Sequence, residues 1–128
     1  MARAFPLQLV LDLTERRAEA KSRAVKLVHA AWLRARAGQV RIEQQRARFN
    51  TSLSHSLRQG CAASVAGLAN RMLREYQERL HRSAQAVATA HADWHRALAI
   101  WQEEKKKLEA LQLLAKRHAF EEARRENR

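Results

Sequence analysis

The chain has 128 residues, 30% of them charged, with three Gly and one Pro, so turn-forming residues are too scarce for a sheet protein or several small domains. Twenty-five Lys and Arg against thirteen Asp and Glu give a formal charge of +12, which suits nucleic acid, anionic lipid or an acidic protein surface as partner. One cysteine excludes an internal disulfide framework, and no apolar run approaches the roughly 20 residues that span a bilayer.

Ala, Leu, Glu, Lys, Gln and Arg dominate, and these lose least rotamer freedom in a helix. The N-terminal stretch MARAFPLQLVLDL contains a short apolar run, but Gln8 and Asp12 interrupt it and Thr14, Glu15 and Arg16 follow. It does not read as a signal peptide. Pro6 suits an early helical position, where the amide it lacks would be unpaired in any case. Steps of four and three then connect Leu7, Leu11, Thr14, Ala18, Lys21, Val25, Val28, Trp32, Ala35, Gln39, Ile42, Arg46, Phe49 and Leu53, a heptad seam with polar interruptions. This predicts a first helix over about 5–57. Breaking it at Gly38 would give a three-helix bundle, but one isolated Gly costs a helix only about 1 kcal/mol, so continuation is expected.

Asn50 to Gly67 gathers four of the six serines and two of the three glycines. A turn is expected at about 58–63, near Gly60, with Ser64 as N-cap of the next helix. Cys61 reads as a small buried or half-buried side chain in a reducing compartment rather than a reactive thiol. The second helix, about 64–126, carries the same steps through Ala69, Leu73, Tyr76, Leu80, Ser83, Val87, Ala90, Trp94, Ala97, Trp101, Glu104, Leu108, Leu111 and Ala115. Up to Gly60 there are twelve basic and four acidic residues (+8), and beyond it thirteen and nine (+4), so no compact basic tail stands out.

Folding the chain back at Gly60 sets Phe49 near Met72, Ile42 near Leu80, Val28 near Trp94 and Leu11 near Leu111. Apolar positions then meet along most of the length, and Ala31, Ala35, Ala90 and Ala97 leave room for Trp32, Trp94 and Trp101. The expected fold is all-α: one long antiparallel two-helix coiled coil, an α-helical hairpin spanning 1–128. At 1.5 Å per residue a helix of about 50 residues is roughly 75 Å long, which makes the expected shape a rod. Each helix buries one stripe, and Lys21, Gln39, Arg46 and Glu104 interrupt it, so stabilisation by a partner follows.

Catalysis is not expected. There is no Gly-rich phosphate loop, no nucleophile with a base and no enclosed carboxylate pair, and two helices do not shield a site from water. No cofactor and no small-molecule substrate are implied. His91 and His95 share the i, i+4 spacing of paired zinc ligands, but Ala92 stands where a zinc helix has Glu and no third ligand is identifiable, so no metal is expected. Lys105, Lys106 and Lys107 after Glu103 and Glu104 form either a contact patch or acid-before-base pairs such as Glu103 with Lys107 that stabilise an exposed helix. Phe49, Met72 and Tyr76 gather beside the turn, where two helices do not cover them fully, a candidate docking site. Nucleic acid is an alternative on charge alone, because no aromatic platform or recognition helix accompanies the arginines.

Two stretches resemble the FliJ proteins of the flagellar type III export apparatus, whose relatives include the YscO-type stalk proteins of virulence secretion systems. FPLQLVLDLTE at Phe5 to Glu15 is similar to the family's opening, an aromatic followed by spaced leucines. WQEEKKKLEALQLLAKR at Trp101 to Arg117 is similar to its W-x-E-x-K-x-L pattern ending in L-x-x-R. The resemblance implies a non-enzymatic hairpin whose two chain ends enter the pore of a hexameric export ATPase and promote its assembly and activity. It also implies that the turn end contacts the membrane export-gate protein, and that export chaperones are bound after cargo release and recycled. The implied ATPase-docking residues are Leu7, Leu11, Asp12, Leu13, Trp101, Lys105, Leu108 and Arg117. The implied gate-binding residues are Ile42, Gln45, Phe49, Met72 and Tyr76, although Arg79 and Ser83 depart from the small residue and His of the family pattern there. The implied location is the cytoplasm, peripheral to the inner membrane at the export apparatus. A stalk of a virulence secretion system would share fold and mechanism.

Overall fold

The structure, a computed structural model, describes residues 3–60 and 62–127; the reading of Cys61 lies outside the described residues. Two helices account for nearly all of it: α1, Gln8–Gln59 (52 residues), and α2, Ala63–Glu126 (64 residues). Among the described residues there is no strand, as the shortage of turn formers and β-branched residues requires.

The helix ends correct two local expectations. The Leu11 amide donates to the Leu7 carbonyl at 2.9 Å and the Gln8 amide to that of Phe5 at 3.0 Å. The first helical acceptor is therefore Leu7, and Pro6 lies in the turn ahead of the helix, where its missing amide likewise costs nothing. At the start of α2, the Ala62 carbonyl accepts from Val65 (3.0 Å) and Ala66 (3.3 Å). The helix thus opens at Ala62, and Ser64 sits in its first turn rather than capping it.

Between the helices, Gly60 adopts φ 82° and its amide donates to the Leu57 carbonyl at 3.3 Å. A left-handed residue after the last helical turn is the usual way to stop a helix, and glycine reaches it without a Cβ penalty. A Cβ at Gly60 would meet nothing within 4 Å, so backbone conformation alone demands the glycine. Gly38 also has open space around it, and α1 runs through it without a break.

The chain forms two compact units, each an antiparallel pairing of one stretch of α1 with one of α2. The end unit comprises Met1–Val28 and Trp94–Arg128, and the turn unit His29–Asp93. In the end unit Leu11, Thr14 and Ala18 are buried, with Val25, Val28, Trp94, Ala97, Trp101, Leu108, Leu111 and Ala115 half-buried. In the turn unit Ala69 is buried, with Ile42, Phe49, Leu53, Leu73, Tyr76 and Leu80 half-buried. No large side chain among the described residues is fully buried, the expected result when each helix covers its partner along one stripe.

The stripe on α1 slips twice from strict heptad steps. Lys21 and Arg46 are exposed, and Ser22 and Gln45 occupy the covered positions instead. The seam resumes unchanged at Val25 and at Phe49, so each slip is a local exchange in the order of a three- and a four-residue step, one residue forward at Ser22 and one back at Gln45. Here the shift leaves two long cations in water and covers two smaller polar side chains.

Candidate docking surfaces

In the end unit, the segment before α1 is tied to the far end of α2. The ring of Phe5 lies 5.6 Å from that of His118, tilted by 53°. The Arg3 amide donates to Glu122 Oε2 at 3.3 Å, and Arg125 Nη1 to Glu122 Oε1 at 3.2 Å, with His118 Nε2 3.9 Å from the same oxygen. Glu122 is only 8% exposed, one of the most covered residues described. Continuing the α2 seam from Ala115 by three and then four reaches His118 and Glu122. The seam read from the sequence stopped at Ala115 because its next members are polar.

Around this tie the end unit leaves large apolar side chains in water. Leu9 is 81% exposed and Phe120 65%, and Leu7, Val10, Leu13, Leu113 and Leu114 are exposed too. The Arg124 guanidinium stands 6.0 Å above the Phe120 ring. Except for Leu7, the first seam position, these outward residues lie off the seam, so their exposure costs the helix pairing nothing.

The residues implied as ATPase-docking separate into two sets. Leu11 is buried, and Trp101 and Leu108 are half-buried in the helix pairing. Leu7, Asp12, Leu13, Lys105 and Arg117 point outward, Asp12 accepting from Gln8 Nε2 at 2.9 Å and Lys105 Nζ standing 5.1 Å from the Trp101 ring centre. The neighbouring charges pair along α2 as Glu103 with Lys106 (3.5 Å), Glu104 with Lys107 (3.8 Å) and Lys105 with Glu109 (4.0 Å). The recorded partner of Glu103 is therefore Lys106, three residues on, rather than Lys107. Exposed pairs of this kind contribute about 0.3–0.5 kcal/mol each.

In the turn unit, the Phe49 and Tyr76 rings lie 5.7 Å apart at 46°. Both line a shallow hollow of about 280 Å³ with Gln45, Arg48 and Ser52. Phe49 and Met72 also line an apolar groove of about 160 Å³ with Leu53, Val65, Leu68 and Ala69. Ile42 is half-buried in the same helix face. Arg79, where the sequence departs from the FliJ pattern, is seated here, its guanidinium 5.6 Å over Tyr76 and its Nη2 donating to Gln45 Oε1 at 3.5 Å. The departure thus comes with partners that hold it.

Cross-helix contacts fall a few residues further along α2 than folding at Gly60 alone suggests: Phe49 meets Tyr76, Gln45 meets Arg79 and Trp32 meets His91, with ring centres 5.6 Å apart in the last pair. Side chains lean toward the N-terminus of their own helix, each covering a spot about one position behind its Cα. In an antiparallel pair the two leans add, which moves the meeting partner on by about two positions.

His95 stacks near Trp94 at 5.5 Å. Among the described residues, no group of three or more His, Cys, Asp or Glu is placed to hold a metal ion, and no helix is long and apolar enough to cross a membrane.

The family model "Flagellar FliJ protein" matches residues 3–128. The chain belongs to the flagellar FliJ family. No curated protein and no solved structure gives a significant match. FliJ membership makes the chain a stalk protein of flagellar export rather than an enzyme. What remains to be assigned to this FliJ chain is the role of each surface.

Proposed function

We propose that this FliJ chain docks through its end unit into a hexameric flagellar export ATPase, promoting assembly and activity of the ring. The observation that carries the reading is the band of outward apolar residues around Leu9, Val10, Leu113 and Phe120, which the helix pairing does not use. Large apolar side chains left in water on both helices of a basic helix pair are the mark of a protein partner. Leu7, Asp12, Leu13, Lys105 and Arg117 lie outward on the same unit and join that surface, while Leu11, Trp101 and Leu108 act from behind it by fixing the helices. The mechanism is allosteric: an asymmetric helix pair biases the catalytic interfaces of the ring unequally.

The turn unit, with Ile42, Gln45, Phe49, Met72 and Tyr76, serves in this reading as the contact for the membrane export-gate protein. Released export chaperones are a third partner, to which no residue is assigned. The chain works in the cytoplasm, peripheral to the inner membrane.

The test is the steady-state ATP hydrolysis rate of the source organism's flagellar export ATPase, titrated with this protein at moderate salt. Stimulation with more hexamer is expected, and Leu9→Asp with Phe120→Asp should abolish most of it while leaving helicity by circular dichroism intact. No change in rate or assembly with the folded wild-type chain overturns the reading.

A further inference from the structure

We infer that Glu122 is a positioning residue: its carboxylate holds the segment ahead of α1 against the end of α2, so that the entry to α1 is presented to the docking partner already ordered. The role in docking rests on the function proposed above; the tie itself does not.

A carboxylate is rarely covered to this degree unless its oxygens are occupied. In Glu122 both oxygens have donors, and the two donors come from different parts of the chain. Arg125 lies three residues along the same helix, whereas the Arg3 amide belongs to the far end of the sequence. Replacing the Arg125 contact alone would leave the long-range bond in place. The Phe5 ring against His118 adds an apolar contact one turn back along α2. Together these fix Arg3 and Phe5 just ahead of Pro6's turn, and the turn leads directly into α1.

The consequence is pre-organisation. A segment of a few residues at a chain end is ordinarily frayed, and ordering it at the moment of binding opposes association. With Glu122 holding it, Phe5 and the entry to α1 at Leu7 are displayed from a fixed backbone next to the C-terminal part of α2. Glu122 is therefore distinguished from the other acids of the α2 tail, which are exposed.

The experiment compares the full chain with Glu122→Ala, Glu122→Gln and Arg125→Ala, reading two quantities. The first is amide exchange at Arg3 and Gln8 by NMR. Glu122→Ala should speed it by about tenfold, the worth of a hydrogen bond to a charged group, whereas Arg125→Ala should change it less than twofold. Glu122→Gln keeps an acceptor of the same shape and should restore most of the protection. The second is the concentration of protein that half-maximally stimulates the export ATPase, expected to rise several-fold for Glu122→Ala at unchanged maximal stimulation. Exchange that is the same in Glu122→Ala and wild type overturns the tie. Faster exchange with an unmoved half-maximal concentration overturns its part in docking. A wild-type chain that gives no stimulation at all defeats the function reading instead, and the exchange data then still decide on the tie.

Discussion

The end unit and the turn unit are built from the same two helices yet use them differently. Of the five buried residues among those described, four (Leu11, Thr14, Ala18 and Glu122) belong to the end unit and one (Ala69) to the turn unit. The end unit also has the greater exposure of large apolar groups, with Leu9, Leu27 and Phe120 the most exposed of those described. Its helices thus carry apolar residues on two faces, one closed by the partner helix and one open. The turn unit has fewer outward apolar groups and relies on contacts between rings, the half-buried pair Phe49 and Tyr76 and half-buried Trp32 with exposed His91. Burial and display are therefore separable properties of the sequence, and each is open to its own test.

The largest effect should come from closing-face residues of the end unit. Trp101→Ala with Leu108→Ala should cost about 3–5 kcal/mol together, near the lower part of the range for core truncations because both are half exposed. The loss reads out as a lower midpoint in thermal or urea unfolding, and unchanged melting would refute the seam. Leu11→Ala alone should cost about 2–3 kcal/mol by the same assay.

Next come the glycines, which set the turn unit's backbone against its helix. Gly60→Ala places a Cβ at φ 82° and should destabilise by about 1–2 kcal/mol although space is free. Gly38→Ala should do the reverse, stabilising by about 0.5–1 kcal/mol within α1. Opposite signs for one chemical change, measured by denaturant unfolding, would confirm that backbone conformation and not packing governs both. In the turn unit a double-mutant cycle on Phe49→Ala and Tyr76→Ala should give a coupling of about 0.5–1.5 kcal/mol. The same pair should weaken export-gate binding without altering stimulation of the ATPase.

The smallest effect on stability belongs to the open face. Leu9→Ala should move the unfolding free energy by less than about 0.5 kcal/mol. If it instead destabilises as much as Leu11→Ala, the second face is structural, and the distinction between the two units collapses.

The two-helix fold was legible because a 3.5-residue period sustained over many turns has few other solutions. Trp101, Leu108 and Leu11 belong to that period, and the structure covers them accordingly, whereas Leu7, the first member of the seam, stays exposed. The slips at Lys21 and Arg46 were not legible in the step pattern, since Lys21 and Ser22, like Gln45 and Arg46, flank the stripe on its two sides and the period alone does not choose between them. Glu122 was missed for a different reason. A glutamate in a tail rich in arginine reads as solvated, and only the return of the chain's start to that position supplies the amide that covers it. Leu9 and Phe120 were visible as apolar residues but lay off the seam, and a search for what pairs the helices passes over what they display.

The turn from Gly60 to the start of α2 is short, and this restricts how the chain can change in length. One residue inserted into α1 rotates every side chain on one side of it by about 100° against the other helix, and so short a turn has no slack to absorb it. Length variation that preserves the pairing must come as matched heptads, seven residues in α1 and seven at the same level of α2. Single-residue insertions and deletions are tolerable only outside the paired stretches, at the chain termini.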